Sequence, residues 1–165
     1  MTFAPRTWVV GEVVSAALMN QEIRDQVNSM LAAWTSYTPA WTASTTAPDV
    51  GNGTLTDRYL KIGRTVYGEV TLTCGSTTTY GSGAWSFSLP ATVASSGFSA
   101  LGSARMTSTA TWHGQVSISS AATTFQVTFP TSATNTQSAN ASQGTPATLA
   151  ATHAIRAFFV YEASS

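Results

Sequence analysis

Apolar positions recur at helical spacing in one long stretch of the chain, residues 8–34, WVVGEVVSAALMNQEIRDQVNSMLAAW. Ala16, Ile23, Val27, Met30 and Trp34 are spaced 7, 4, 3 and 4, with Asn20 filling the first gap. The stripe covers two and a half heptads, with Ala16, Ile23 and Met30 at d and Asn20, Val27 and Trp34 at a. The pattern predicts a helix from about 15 to 34, with Ser15 as its N-cap and Glu12 and Glu22 towards the end where the helix dipole favours acids. An isolated helix of this length is marginal in water, because its nucleus is costly and packing supplies most of its stability. The stripe must therefore lie on the rest of the chain or on copies of itself. A lone a-position Asn fixes register and oligomer state. That favours self-association through Asn20, Ile23, Val27, Met30 and Trp34.

After Trp34 the period changes from helical to alternating. Tyr37 to Trp41 suggest an edge strand, since Pro39 is tolerated there. The run 65–74, TVYGEVTLTC, alternates Val66, Gly68, Val70 and Leu72 against Tyr67, Glu69, Thr71 and Thr73, the clearest half-buried strand in the chain. With Tyr59 to Ile62 before it, a hairpin turning at Gly63-Arg64 is expected. Trp85, Phe87 and Leu89 alternate up to Pro90, and further strands are expected near 109–119 and 124–129. The last strand carries Ile155, Ala157, Phe159 and Tyr161 on one face and Arg156, Phe158 and Val160 on the other. Two apolar faces place it centrally or at a subunit contact. Between the strands lie two long polar segments, the Gly/Ser/Thr loop 75–84 and residues 131–147, the second of which holds no large apolar side chain. About eight irregularly spaced strands predict a mainly β domain, an antiparallel jelly-roll-like β-sandwich. The division expected is residues 1–36, an arm and an oligomerising helix, and residues 37–165, the β-domain.

Composition sharpens this picture. Of 165 residues only 8% are charged, against about 25% in ordinary soluble proteins. Hydrophobic residues still make up 43%, with five Trp, seven Phe and five Tyr, so the chain has the means to bury a core. Seven basic and seven acidic residues cancel without clustering, which disfavours a nucleic-acid partner. One cysteine, Cys74, permits no intrachain disulfide and no zinc set. Gly11 and Glu12 split the valines that follow Arg6, so no secretory h-region is read there, and no apolar run suits membrane insertion.

Two stretches carry a resemblance. TWVVGEVVSAALMNQEIRDQVNSM (7–30) resembles the opening segment of minor tail and fibre-like proteins of actinobacterial phages and prophages. YTPAWTASTTAPDVGNGTLTDRYLKIGRTVYGEVTLTCGSTTTYGSGAWSFSLP (37–90) is similar to a β-domain of the same virion proteins. Residues 91–165 carry no assigned motif. The resemblance implies a trimeric tail fibre or receptor-binding protein located in the virion. Its helical segment would face other tail or capsid proteins, and its β-domain would be distal. A baseplate subunit or a capsid decoration without receptor binding is the alternative.

Catalytic chemistry has little to draw on. His113 and His153 are the only histidines, no G-x-S-x-G elbow precedes a helix, and Asp49, Asp57, Glu69 and Glu162 read as surface or loop carboxylates. The expectation is a non-enzyme with no catalytic residues and no cofactor. Asp49, Asn52 and Asp57 could clip a calcium ion, but they lack the spacing of a calcium loop, and Asx residues serve turns, so no metal is expected. A host-surface carbohydrate needs an exposed ring beside hydroxyls or amides. Tyr80, Trp85, Trp112 and His113 are the candidates, with Trp85 and Trp112 also suited to the core and Tyr80 and His113 preferred.

Overall fold

A computed structural model describes residues 7–164; of the expected N-terminal arm, residues 1–7, all but Thr7 lie outside the described residues. The helical stretch has three parts: α1 (Ala16–Met19), a π turn (Asn20–Arg24) and α2 (Asp25–Met30). Ser15 caps it, its Oγ accepting from the Leu18 N–H at 3.2 Å. At the π turn the Asp25 N–H donates to the Asn20 carbonyl, five residues back. A π turn holds more residues than an α turn, which shifts the heptad phase. The exposed apolar row therefore runs Met19, Ile23, Val27, Met30, with side chains 41–50% exposed. None of the described residues of this stretch is buried. The helix also stops four residues short of the expected Trp34. Leu31 leaves helical geometry at φ −101° and ψ 6°, and Trp34 instead lies half-buried under the Arg58 guanidinium, 5.0 Å from its ring centroid.

The rest is mainly β and antiparallel. The strands are β1 (Thr35–Tyr37), β2 (Trp41–Ala43), β3 (Thr54–Ile62), β4 (Thr65–Thr73), β5 (Trp85–Ser88), β6 (Ala100–Thr107), β7 (Thr111–Ile118), β8 (Thr124–Pro130), β9 (Ser138–Asn140) and β10 (Ala154–Glu162). Hydrogen bonding runs in the order β1-β3-β4-β10-β6-β7-β8-β5-β2, with β9 added on β8. Where a sandwich predicts two packed sheets, one sheet curls around the core. Its two end strands, β1 and β2, are separated by only residues 38–40. That linker reaches roughly 14 Å at most, so the far ends of the sheet must come together. Pro39 breaks the single edge strand expected at 37–41 into these two. Across the seam the Tyr37 hydroxyl donates to the Ser88 carbonyl at 3.1 Å, and the Ala40 N–H donates to Ser88 Oγ at 2.8 Å.

Local chemistry sets the central strands. The β3–β4 hairpin turns on Gly63-Arg64, with Ile62 opposite Thr65. Gly63 has φ 58°, a conformation that a two-residue hairpin loop requires and that glycine adopts freely. Along β4 the buried face is Val66, Gly68, Val70 and Leu72. β10 is central, between β4 and β6, and buries Ile155, Ala157, Phe159 and Tyr161. Phe159 lies opposite Gly68 on one neighbour and Gly102 on the other, so two missing side chains leave room for its ring. From it a column of rings crosses the core: Phe159 to Phe125 at 4.8 Å, Phe125 to Phe87 at 5.4 Å, then Trp41 stacked on Phe87 at 6.3 Å and edge-on to Trp85 at 5.3 Å. Such ring pairs add to the apolar area they bury.

Candidate functional site

The two long polar segments meet. Loop 75–84 is pinned from below, with the Thr78 hydroxyl donating to the Val50 carbonyl at 2.6 Å and the Gly75 N–H donating to Thr78 Oγ1 at 2.8 Å. Residues 131–147 are not wholly a loop. β9 pairs with β8, and Ala141 and Pro146 are buried. These are small or ringed side chains that a search for large apolar residues passes over. The Ala141 carbonyl accepts from the Trp85 N–H at 2.9 Å, which brings this segment beside the end of loop 75–84. Between them lies a groove of about 550 Å³ lined by Gly81, Ser82, Asn140, Ser142, Gln143 and Thr145, among others. Its polar groups are amides and hydroxyls, which both donate and accept, and its lining holds no charged or aromatic side chain.

The four residues expected at a glycan site do not converge on this groove. Trp85 is fully buried, its indole N–H donating to the Tyr80 carbonyl at 2.9 Å. Tyr80 is half-buried beside the Cys74 thiol, and burial with that neighbour pushes its pKa up to about 12. Trp112 packs on the core, and its buried indole N–H has no hydrogen-bond partner. His113, the next residue on β7, points to the opposite side and is exposed. Asp49 and Asn52 serve the turn: Asp49 Oδ1 accepts from the Gly51 N–H at 3.0 Å, and Asn52 Oδ1 accepts from the Thr77 N–H at 2.9 Å. Asp57 faces the interior instead.

On the outer face of the sheet, His113 joins residues that the sequence reading did not single out. The register places Thr71, Arg156, Arg105 and His113 in one row across β4, β10, β6 and β7, and Glu69, Phe158 and Ser103 in the row beside it. The two rows line a cavity of about 380 Å³. Glu69 is held by Arg58, whose Nε and Nη2 both reach Oε2 at 2.7 Å. Alternation alone puts Arg105 and Arg156 on outward positions, since each lies between buried neighbours. What one strand's pattern does not carry is the register that sets them opposite one another.

Compared with protein-family models, curated proteins and solved structures, the chain has no match.

One titratable group sits apart from both cavities' chemistry. Asp57 on β3 is 6% exposed, opposite Tyr37 of β1. The Tyr37 hydroxyl directs its proton to Ser88, and neither Asp57 oxygen receives a hydrogen bond of good geometry. Burial, with Glu69's charge adding to it, raises the Asp57 pKa from 3.8 to about 7, although the neighbouring Tyr37 hydroxyl and Arg58 N–H oppose the shift. Tyr161, whose hydroxyl donates to the Ala91 carbonyl at 2.8 Å, is pushed up to about 12 by burial.

Proposed function

We propose that this chain is a virion structural and adhesive protein, a trimeric tail fibre or receptor-binding protein that contacts a host-surface glycan. The helical end would associate with two other copies and with tail or capsid proteins, and the curled sheet would serve as its jelly-roll-like head. The observation that carries the reading is the helix: Met19, Ile23, Val27 and Met30 leave an apolar row 41–50% exposed, with no core of its own chain beneath it. Rows like this are stable when copies cover one another. The trimer and the particle are what the resemblance of residues 7–30 and 37–90 to phage tail proteins implies. The amide and hydroxyl groove suits neutral sugar hydroxyls, and three copies of a weak site gain avidity without new contacts.

A second reading is a capsid decoration or baseplate subunit without receptor binding. It is favoured by the absence of any aromatic side chain in the groove lining, since sugar rings usually stack on one. Light scattering at low micromolar concentration tests the first reading, with a mass near three times 17.2 kDa expected. A monomer would refute the bundle. A fluorescent fusion then separates the two readings. Binding to host cells that is lost on Asn140→Ala with Gln143→Ala supports the adhesin, and binding to particles alone supports the decoration.

A further inference from the structure

We propose that the outer face of the sheet carries a second site, for an acidic saccharide, in which Arg105 and Arg156 hold a carboxylate and Phe158 supports the sugar ring. Arg105 of β6 and Arg156 of β10 are direct cross-strand partners. Like charges at such positions repel and destabilise a sheet. Arg24, Arg58 and Arg64 each have a carboxylate within 3.2 Å. Among the described residues Arg105 and Arg156 have none, and the nearby Glu69 already serves Arg58. In a chain with 8% charged residues, two uncompensated cations side by side are a cost that a bound anion would remove.

The surroundings define the anion. An arginine fork donates two parallel hydrogen bonds to a carboxylate and stays charged at any working pH. His113 of β7 lies next to Arg105 in the same row, one strand further on, and the Thr71 and Ser103 hydroxyls flank the arginines. Phe158, 43% exposed beside the pair, offers a flat apolar surface. The cavity of about 380 Å³ suits one or two sugar residues rather than an extended polymer. A duplex nucleic acid needs a broad basic surface, and a neutral chain with two unpaired arginines on this face does not provide one. The anion follows from the arginines alone, whereas the choice of a saccharide rests on the adhesive reading above.

The test is titration of the full chain with methyl glucuronide, methyl glucoside and inorganic phosphate, followed by amide NMR shifts and by thermal unfolding. Methyl glucuronide is expected to shift β6, β7 and β10 amides and raise the unfolding midpoint, with methyl glucoside doing neither. Arg105→Gln and Arg156→Gln should each weaken it by about tenfold or more, the loss of one charge-assisted pair. Without ligand, Arg105→Gln should unfold no earlier than the parent, because the repulsion is gone. A lower midpoint would mean that the arginine has a structural partner and would overturn the proposal. So would equal binding of methyl glucoside, or binding that survives both substitutions together. Phe158→Ala should weaken methyl glucuronide and leave phosphate unchanged. If phosphate binds as tightly and Phe158→Ala changes neither, the saccharide assignment fails. A chain that binds methyl glucuronide but no host cell would refute the adhesive reading and leave the arginine site standing.

Discussion

Replacing Gly68 by Ala sets two effects of opposite sign against each other. In the unfolded chain glycine is the freer residue, so Gly→Ala at a compatible site stabilises by about 0.5–1 kcal/mol. At Gly68, however, an added Cβ would stand within 2.5 Å of Phe159 ring carbons, against roughly 3.5–4.0 Å for an ordinary carbon contact. The ring is fully buried, with Phe125 at 4.8 Å and Tyr161 at 6.1 Å, and has little room to swing away. Overpacking of this kind costs about 1–3 kcal/mol, so it wins. A net loss of about 1–2 kcal/mol is expected, which is a fall in unfolding midpoint of about 2–8 °C for a chain of this size. Urea unfolding followed by tryptophan fluorescence, at one fixed protein concentration, measures it. Phe159→Leu in the Gly68→Ala background should cost less than Phe159→Leu alone, because the smaller side chain makes space, with coupling of at least about 0.5 kcal/mol. Unchanged or raised stability of Gly68→Ala, or strict additivity with Phe159→Leu, would refute this account of the core.

Three further outcomes follow from the geometry. Asp57 binds its proton more tightly folded than unfolded, so its stabilising contribution is full below pH 3.8 and drains away as pH rises to about 7. Denaturant titrations across that range should show this decline, and Asp57→Asn should flatten it; a wild-type profile that matches the variant's would contradict the shift. Ile23→Asp with Val27→Asp should convert the proposed trimer to a 17.2 kDa species without moving the midpoint of the β-domain, because these residues are 49% and 42% exposed in the single chain. Native mass and thermal scans decide that together. Trp85→Ala removes a ring with no exposed surface and the hydrogen bond to Tyr80, and should cost about 3–5 kcal/mol by equilibrium unfolding; a loss under 1 kcal/mol would be inconsistent with the ring column.

Local pattern carried much of the fold. The alternation at 65–74 picked the face that β4 buries, and Gly63-Arg64 marked its hairpin. The two apolar sides of the last strand pointed to a central place or a subunit contact, of which the sheet shows the first, with β10 between β4 and β6. A period of two says which side chains share a face and nothing about which strand lies next door. The curl of the sheet was hidden for that reason, as was the splitting of 37–41 by Pro39 into strands at opposite ends of the order. The meeting of Arg105 with Arg156 depends on a pairing across 51 positions of sequence. In the helix the heptad spacing was visible, but the π turn that shifts its phase was not, because the spacing assumes a constant number of residues per turn. Tyr80 and Trp85 share the region of the polar groove in sequence, but core packing claims their side chains, as apolar area predicts for a tryptophan within an alternating run.

The way the chain enters its sheet also determines how it would yield under load. Tension delivered through the helix would reach the β-domain at β1, a strand of three residues paired only with β3. Beyond that short ladder, the Tyr37–Tyr59 edge contact at 5.7 Å, the Arg58–Trp34 contact at 5.0 Å and the Tyr37 hydroxyl on the Ser88 carbonyl at 3.1 Å hold the same corner. All three lie outside the ring column, so once they are given up β1 can peel from β3 while the nine-residue ladders of β3, β4 and β10 stay zipped. Peeling would release only a few residues of extra reach. In a fibre of the kind proposed, the seam would act as a short mechanical fuse between the helix and the β-domain.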